Sequence, residues 1–299
     1  MPTHPLDLEI RVLGQMRSGN HAIIQWILGM FPERKVCFLN NLDHLPGDPY
    51  LICSKVETVN LDPDVRPSAQ DPGVVVYSYE DSRVIQTEKR SFLSSVLGQT
   101  DAVREHLGPS LRNVDVLIIR DPFNGFASRL KLLRHRGPLG GIDDMATIRK
   151  VWKETAQFAL AGASGFTVVK YNTWVDNEAY RERIAEAFDP DRVPELSDRP
   201  ARYGGGSSFA NGIHDRLPIR TVLSDYRKIF SLKRIRNLAF YLRRVVAPTV
   251  VDHEAVRQRW RHFVDDDEYR ELFRDPEVAE LSEALFGEIP GTRAFVRSL

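Results

Sequence analysis

Four short, largely apolar runs, each followed by a stretch with helical spacing, constrain this chain more than any other feature. They occupy 10–13, 74–79 (VVVYSY), 114–119 (VDVLII) and 166–171 (FTVVKY). Near-continuous apolar runs suit strands buried on both faces, as in the centre of a parallel sheet. Between them, apolar residues recur at helix spacing from Ala22 onward (Ile23, Ile24, Ile27, Leu28) and over 91–107, 123–134, 143–161 and 178–188. An Asp caps the start of the 143–161 helix. Strands alternating with helices predict an α/β fold of three layers, α/β/α, with a central, mainly parallel sheet. The region 40–73, rich in Pro, Asp and Asn (NNLDHLPGDPY, LDPDVRPSAQDPG), reads as loops and as a candidate acceptor-binding region.

In such sheets ligands sit beyond the carboxyl ends of the strands. Arg17, Glu80, Arg120 and Tyr171 each lie at or just past such an end. Distant in sequence, they are expected to converge on one edge. The turn after the first strand carries Arg17, Ser18, Gly19 and Asn20. A small-residue turn opening a helix offers outward N–H groups and a favourable dipole to an anion. Gly19 permits close backbone approach, and Arg17 adds a fixed charge with several donors.

Composition narrows the function classes. The chain of 299 residues balances 41 Lys and Arg against 41 Asp and Glu, so bulk charge offers no argument for nucleic-acid binding. Two cysteines, Cys37 and Cys53, make neither a disulfide framework nor a zinc site, and no metal centre is expected. The first residues, MPTHPLDLE, contain no apolar signal region, and no run of eighteen apolar residues occurs, so a cytoplasmic location is the expectation. No internal repeat appears. One domain, 1–299, is expected, helical from about 213. Residues 216–244 hold nine basic residues and one acidic residue. They read as a solvated helix face or as a rim for peripheral membrane contact or an acidic acceptor.

Four segments together resemble a sulfotransferase that uses 3′-phosphoadenosine 5′-phosphosulfate, of the bacterial type. Arg17-Ser18-Gly19-Asn20-His21, leading into Ala22, resembles the 5′-phosphosulfate loop. Ile119-Arg120-Asp121-Pro122 through Ser128 resembles the 3′-phosphate motif. Val169-Lys170-Tyr171 resembles the strand whose Tyr contacts the adenine, and Gly206-Ser207-Ser208-Phe209 the loop that holds the adenine ring. The resemblance implies a P-loop NTPase-like fold and that nucleotide as cofactor, without a metal. It implies transfer of a sulfuryl group to a hydroxyl or amine of a small-molecule, saccharide or lipid acceptor. Arg17 would stabilise charge, since an Arg does not readily release a proton. Glu80 is the candidate base, with His21 and His44 as alternatives. A late Arg-Lys-Gly motif common in cytosolic members has no good match after Phe209.

Two other readings stay open. A kinase-like transferase would carry G-x-x-x-x-G-K-[ST], which 14–18 lacks. A non-catalytic nucleotide-binding or scaffold protein could keep the same fold. Acceptor identity and oligomeric state are not readable from these residues.

Overall fold

The computed structural model describes residues 5–43, 47–61, 73–81, 92–98, 100–136, 144–196 and 257–299. His44, Ser207, Ser208, Phe209 and the basic stretch 216–244 lie outside the described residues.

Six strands form one sheet: β1 (Leu8–Gly14), β2 (Val36–Leu42), β3 (Cys53–Val59), β4 (Val74–Glu80), β5 (Asn113–Ile119) and β6 (Phe166–Lys170). Their order is β3-β2-β4-β1-β5-β6. All neighbours run parallel except β2 and β3. The architecture is therefore α/β with a mainly parallel central sheet, and all four expected strands are present. The last ends at Lys170, one residue early, because Tyr171 opens a helix.

The reading of 40–73 as loops is corrected. β2 runs to Leu42, the short helix α2 spans Pro49–Ile52, and β3 pairs antiparallel along the sheet edge. β3 was illegible because an edge strand faces water. Its Ser54, Lys55 and Val56 are exposed, so it has no buried apolar run. The helix expected over 91–107 is two helices, α3 (Phe92–Leu97) and α4 (Thr100–Leu107).

The strands' alternate side chains feed two layers. Leu8, Ile10 and Val12 of β1 pack against α1 (Asn20–Leu28), α7 (Tyr171–Asp176) and α8 (Glu178–Ala185). On the other face, Leu13, Val75, Tyr77 and Leu117 pack against α3 and α4, and against Val151 of α6 (Met145–Leu160). α6 is capped by Asp144, whose carboxylate accepts from the Ala146 and Thr147 amides. Cys37 sits in this second layer; burial, then the neighbouring Cys53, pushes its thiol up to about 12, so it behaves as a small apolar residue.

A third cluster fixes the C-terminal part. α5 (Pro122–Arg136) and α6 pack against a 3₁₀ turn (Arg259–Phe263), α9 (Asp267–Glu271), α10 (Pro276–Phe286) and α11 (Thr292–Arg297). Phe273 stacks on Phe123 at 4.5 Å and lies 5.7 Å from Phe126, ring centre to ring centre. Tyr269 donates its hydroxyl to the Phe123 carbonyl at 2.8 Å.

A connection from β1 runs over one face through α1, whereas β5 leads into α5 on the other. Adjacent strands with connections on opposite faces make a switch point, where the sheet's carboxyl edge opens a crevice. Register aligns that edge: Gly14 pairs with Glu80 on one side and Ile118 on the other.

Phe273→Ala should destabilise the chain by about 3–5 kcal/mol in urea unfolding, the usual cost of removing a core aromatic. A loss under about 1 kcal/mol would show that this ring does not pin the C-terminal helices to α5.

Candidate active site

The turn from β1 to α1 is built from its own polar side chains. Asn20, 3% exposed, donates from Nδ2 to the carbonyls of Gly14 and Gln15 and to Glu80 Oε1 at 3.1 Å. Ser18 donates its hydroxyl to Asn20 Oδ1 at 2.6 Å. Ser18 and Asn20 thus have side chains turned into the loop, and the Ser18 amide also stays within it, donating to the Gln15 carbonyl at 3.1 Å. Arg17 has φ 74°, a left-handed value rarely adopted by a residue with a Cβ, and Gly19 has φ 100°. His21 and Ala22 occupy the first turn of α1 and are half-buried. Early helix amides lack an intrahelical acceptor, which suits a helix start to an anion; here the Ala22 amide is already taken by the Gly19 carbonyl at 3.0 Å.

Glu80 is the last residue of β4 and 7% exposed. Its amide donates to Asn41 Oδ1 at 3.2 Å, and its carboxylate holds Asn20. The candidate base is therefore tethered to the anion loop itself.

Arg120 follows β5 and is 5% exposed. Its Nη1 donates to the Arg17 carbonyl at 3.3 Å, and its guanidinium lies 5.0 Å from the Tyr171 ring centre. The Trp152 indole donates to the Arg120 carbonyl at 2.9 Å. Arg17 Nε donates to the Ser128 hydroxyl at 3.3 Å. The structure thus brings Arg17, Arg120 and Ser128 into one constellation, with Ser128 linked to Arg17. Tyr171 lies over the turn: a Cβ on Gly19 would fall 2.2 Å from its ring carbons.

Asp121 organises the far wall. It caps α5 by accepting from the Asn124 amide at 2.8 Å, with Pro122 in the first helical position. Its other oxygen accepts from Asn172 at 2.9 Å, which fixes the Tyr171 helix beside Arg120.

Arg259 is a site residue that sequence reasoning missed. It begins the 3₁₀ turn, is 5% exposed, and is anchored next door by the Trp260 amide donating to Asn124 Oδ1 at 3.4 Å. Burial pushes its guanidinium well down from the ordinary range, and the charges of Arg120 and Arg17 push the same way. Lys131, on α5 one turn beyond Ser128, is shifted down by burial and then by Arg259 and Arg17. An Arg does not release its proton in a protein, so the three arginines stay charged; the buried Asp121 carboxylate, 3.8 Å from Arg120 Nε, offsets only part of their repulsion. An anion drawn among Arg17, Arg120, Arg259 and Lys131 offsets both the desolvation and the repulsion.

A small crevice between Gln15–Ser18, Arg120, Arg129 and Trp152 opens at this edge. The arrangement can bind a multiply charged anion beside a carboxylate. Among the described residues no group of three His, Cys, Asp or Glu is placed to hold a metal, and no helix is long and apolar enough to cross a membrane.

No family model matches the chain, and no curated protein matches it. Among solved structures it is similar to mouse sulfotransferase SULT7A1 complexed with PAP, at 10% identity and a TM-score of 0.41, covering 94% of this chain and 90% of that one. It is also similar to the sulfotransferase domain of the Synechococcus PCC 7002 olefin synthase, at 12% identity and a TM-score of 0.39, covering 88% of this chain and 96% of that one.

Gly19→Ala should cost about 1–2 kcal/mol from the left-handed backbone alone, with a further loss from overlap with Tyr171. Urea unfolding checks this; unchanged stability would mean that the turn does not hold the observed conformation.

Proposed function

We propose that the chain is a sulfotransferase that takes 3′-phosphoadenosine 5′-phosphosulfate and sulfates a hydroxyl or amine of a saccharide, lipid or small-molecule acceptor. The observation that carries this reading is the gathering of Arg17, Arg120 and Arg259 around a glycine turn at the carboxyl edge of the sheet, with Arg120 and Arg259 both 5% exposed. Such a cluster fits a compact, highly charged anion, because charge-assisted contacts to phosphate oxygens are the strong kind. The cofactor brings phosphate and sulfate charges at both ends of one nucleotide, which suits several cations on separate elements.

Each residue then has a task. The amides of the Gly19–His21 turn and the Arg17 guanidinium hold the 5′ anion. Arg120, Ser128 and Arg259 hold the 3′-phosphate, with Arg259 standing in for the late basic motif that the chain lacks. Tyr171, with Ser207, Ser208 and Phe209, is assigned to the adenine. When bound, the nucleotide supplies an activated sulfuryl group. Glu80 accepts the acceptor's proton on a carboxylate oxygen, with His21 the other candidate. Arg17 faces the charge that grows on the leaving oxygen, and as a fixed cation it stabilises without donating a proton. Asn20 keeps Glu80 and the loop at a set separation.

Arg120→Ala is expected to weaken adenosine 3′,5′-bisphosphate binding about 10- to 100-fold, the loss of a charge-assisted contact. Glu80→Gln should keep that affinity within about twofold and lower sulfate transfer about 10²- to 10⁴-fold, the usual share of a general base. Calorimetry and bisphosphate release with saccharide, phenolic and lipid acceptors read the two effects. Unchanged affinity in Arg120→Ala removes the 3′-phosphate role; full turnover in Glu80→Gln removes Glu80 as base.

A further inference from the structure

Behind the anion turn lies a buried ion pair that the reaction itself does not use. Asp81 directly follows Glu80 and is 0% exposed; Arg129 directly follows Ser128 on α5 and is 4% exposed. Arg129 Nη1 donates to Asp81 Oδ1 at 3.0 Å. Both members also grip one backbone residue of the turn. The Met16 amide donates to the same Asp81 oxygen at 2.8 Å, and the Met16 carbonyl accepts from Arg129 Nη1 at 3.4 Å. Met16 immediately precedes Arg17, whose backbone is left-handed.

A buried pair of this kind contributes little net stability compared with an apolar replacement, so its value lies in what it orients. Here it holds both backbone polar groups of Met16, the residue that leads into Arg17. The neighbouring residue Ser128 accepts from the Arg17 side chain. α5 therefore fixes Arg17 twice, through its side chain by Ser128 and through the preceding backbone by Arg129. Asp81 adds the same constraint from the end of β4, one residue beyond the candidate base.

We infer that Asp81 and Arg129 are positioning residues that lock the Met16–Arg17 backbone in the anion-binding conformation and couple it to the β4 end that carries Glu80. They act on Arg17 through the Met16 backbone; Arg129 also lines the crevice, so the Asp81 variants carry the affinity arm. Their effect on ligand affinity rests on the sulfotransferase reading, whereas the lock itself does not. Since both act on one residue, removing either releases the same constraint, and their effects overlap.

The test has two arms on the intact chain. In the first, hydrogen exchange of the 14–20 segment is measured without nucleotide in Asp81→Ala, Arg129→Met and the double variant. Asp81→Leu, similar in size and without an acceptor for the Met16 amide, serves if the alanine variant does not fold. Exchange at 14–20 should rise about tenfold or more, as expected on losing a charge-assisted hydrogen bond, while 74–79 keeps its protection. The double variant should add little to either single one. Arg11→Met, which breaks the part-buried Arg11–Asp115 pair (2.7 and 2.8 Å) within the sheet, should lower thermal stability without a selective rise at 14–20.

In the second arm, adenosine 3′,5′-bisphosphate affinity should fall about tenfold or more in each Asp81 variant, and stay within about twofold in Arg11→Met. Unchanged exchange at 14–20 in a folded variant overturns the lock. Faster exchange throughout the chain would also overturn it, since that marks a general structural role. If the unaltered chain binds no bisphosphate while the exchange result holds, the lock stands and the cofactor reading fails.

Discussion

Burying guanidinium groups close to one another is costly, and the candidate site is built around that cost. Arg120 and Arg259 are almost wholly out of water, and Arg17 and Lys131 add like charge beside them. Such an arrangement persists only where surrounding structure holds it. Each of the three arginines has a separate support. Arg120 is held through its carbonyl by Trp152, Arg17 through Ser128, and Arg259 through the Trp260–Asn124 contact. These supports come from α5, α6 and the C-terminal helices, which share one aromatic core. Packing far from the sheet edge therefore sets the charge density at the edge.

The turn is overdetermined in the same way. Asn20 satisfies two of its carbonyls and a carboxylate at once, and Asp121 both caps α5 and anchors Asn172. Polar groups buried this deeply are expected to be satisfied, and satisfied networks make a site rigid. A rigid site with cations already in place needs little rearrangement to receive an anion. Loop, candidate base and cation wall belong to one hydrogen-bonded unit rather than to three separate motifs.

Much of this unit was legible in the chain. Buried parallel strands advertise themselves as apolar runs, so β1, β4, β5 and β6 could be located, and with them the residues at their ends: Arg17, Glu80, Arg120 and Tyr171. Ser128 came only from the resemblance of 119–128 to a 3′-phosphate motif. What escaped depends on partners distant in sequence. Nothing local marks Arg259 among many arginines; its position follows from a 3₁₀ turn bonded to a residue 136 positions away from Trp260. Asp81 and Arg129 look like ordinary surface charges until the fold sets them together. Asn20 was placed in the turn, but the inward course of its side chain toward Glu80 was not legible. β3 stayed hidden because a water-facing edge strand lacks the apolar signature.

The central claim is that a single, highly charged adenine nucleotide neutralises the cation cluster. Thermal unfolding of the intact chain, titrated in parallel with adenosine 3′,5′-bisphosphate and with ATP, tests it most directly. A ligand specific to the folded state adds about 2.7 kcal/mol of stability at a hundred times its Kd. The account predicts a melting temperature that climbs steadily with the bisphosphate and less with ATP at equal concentration. No rise with the bisphosphate, or an equal or larger rise with ATP, would contradict it.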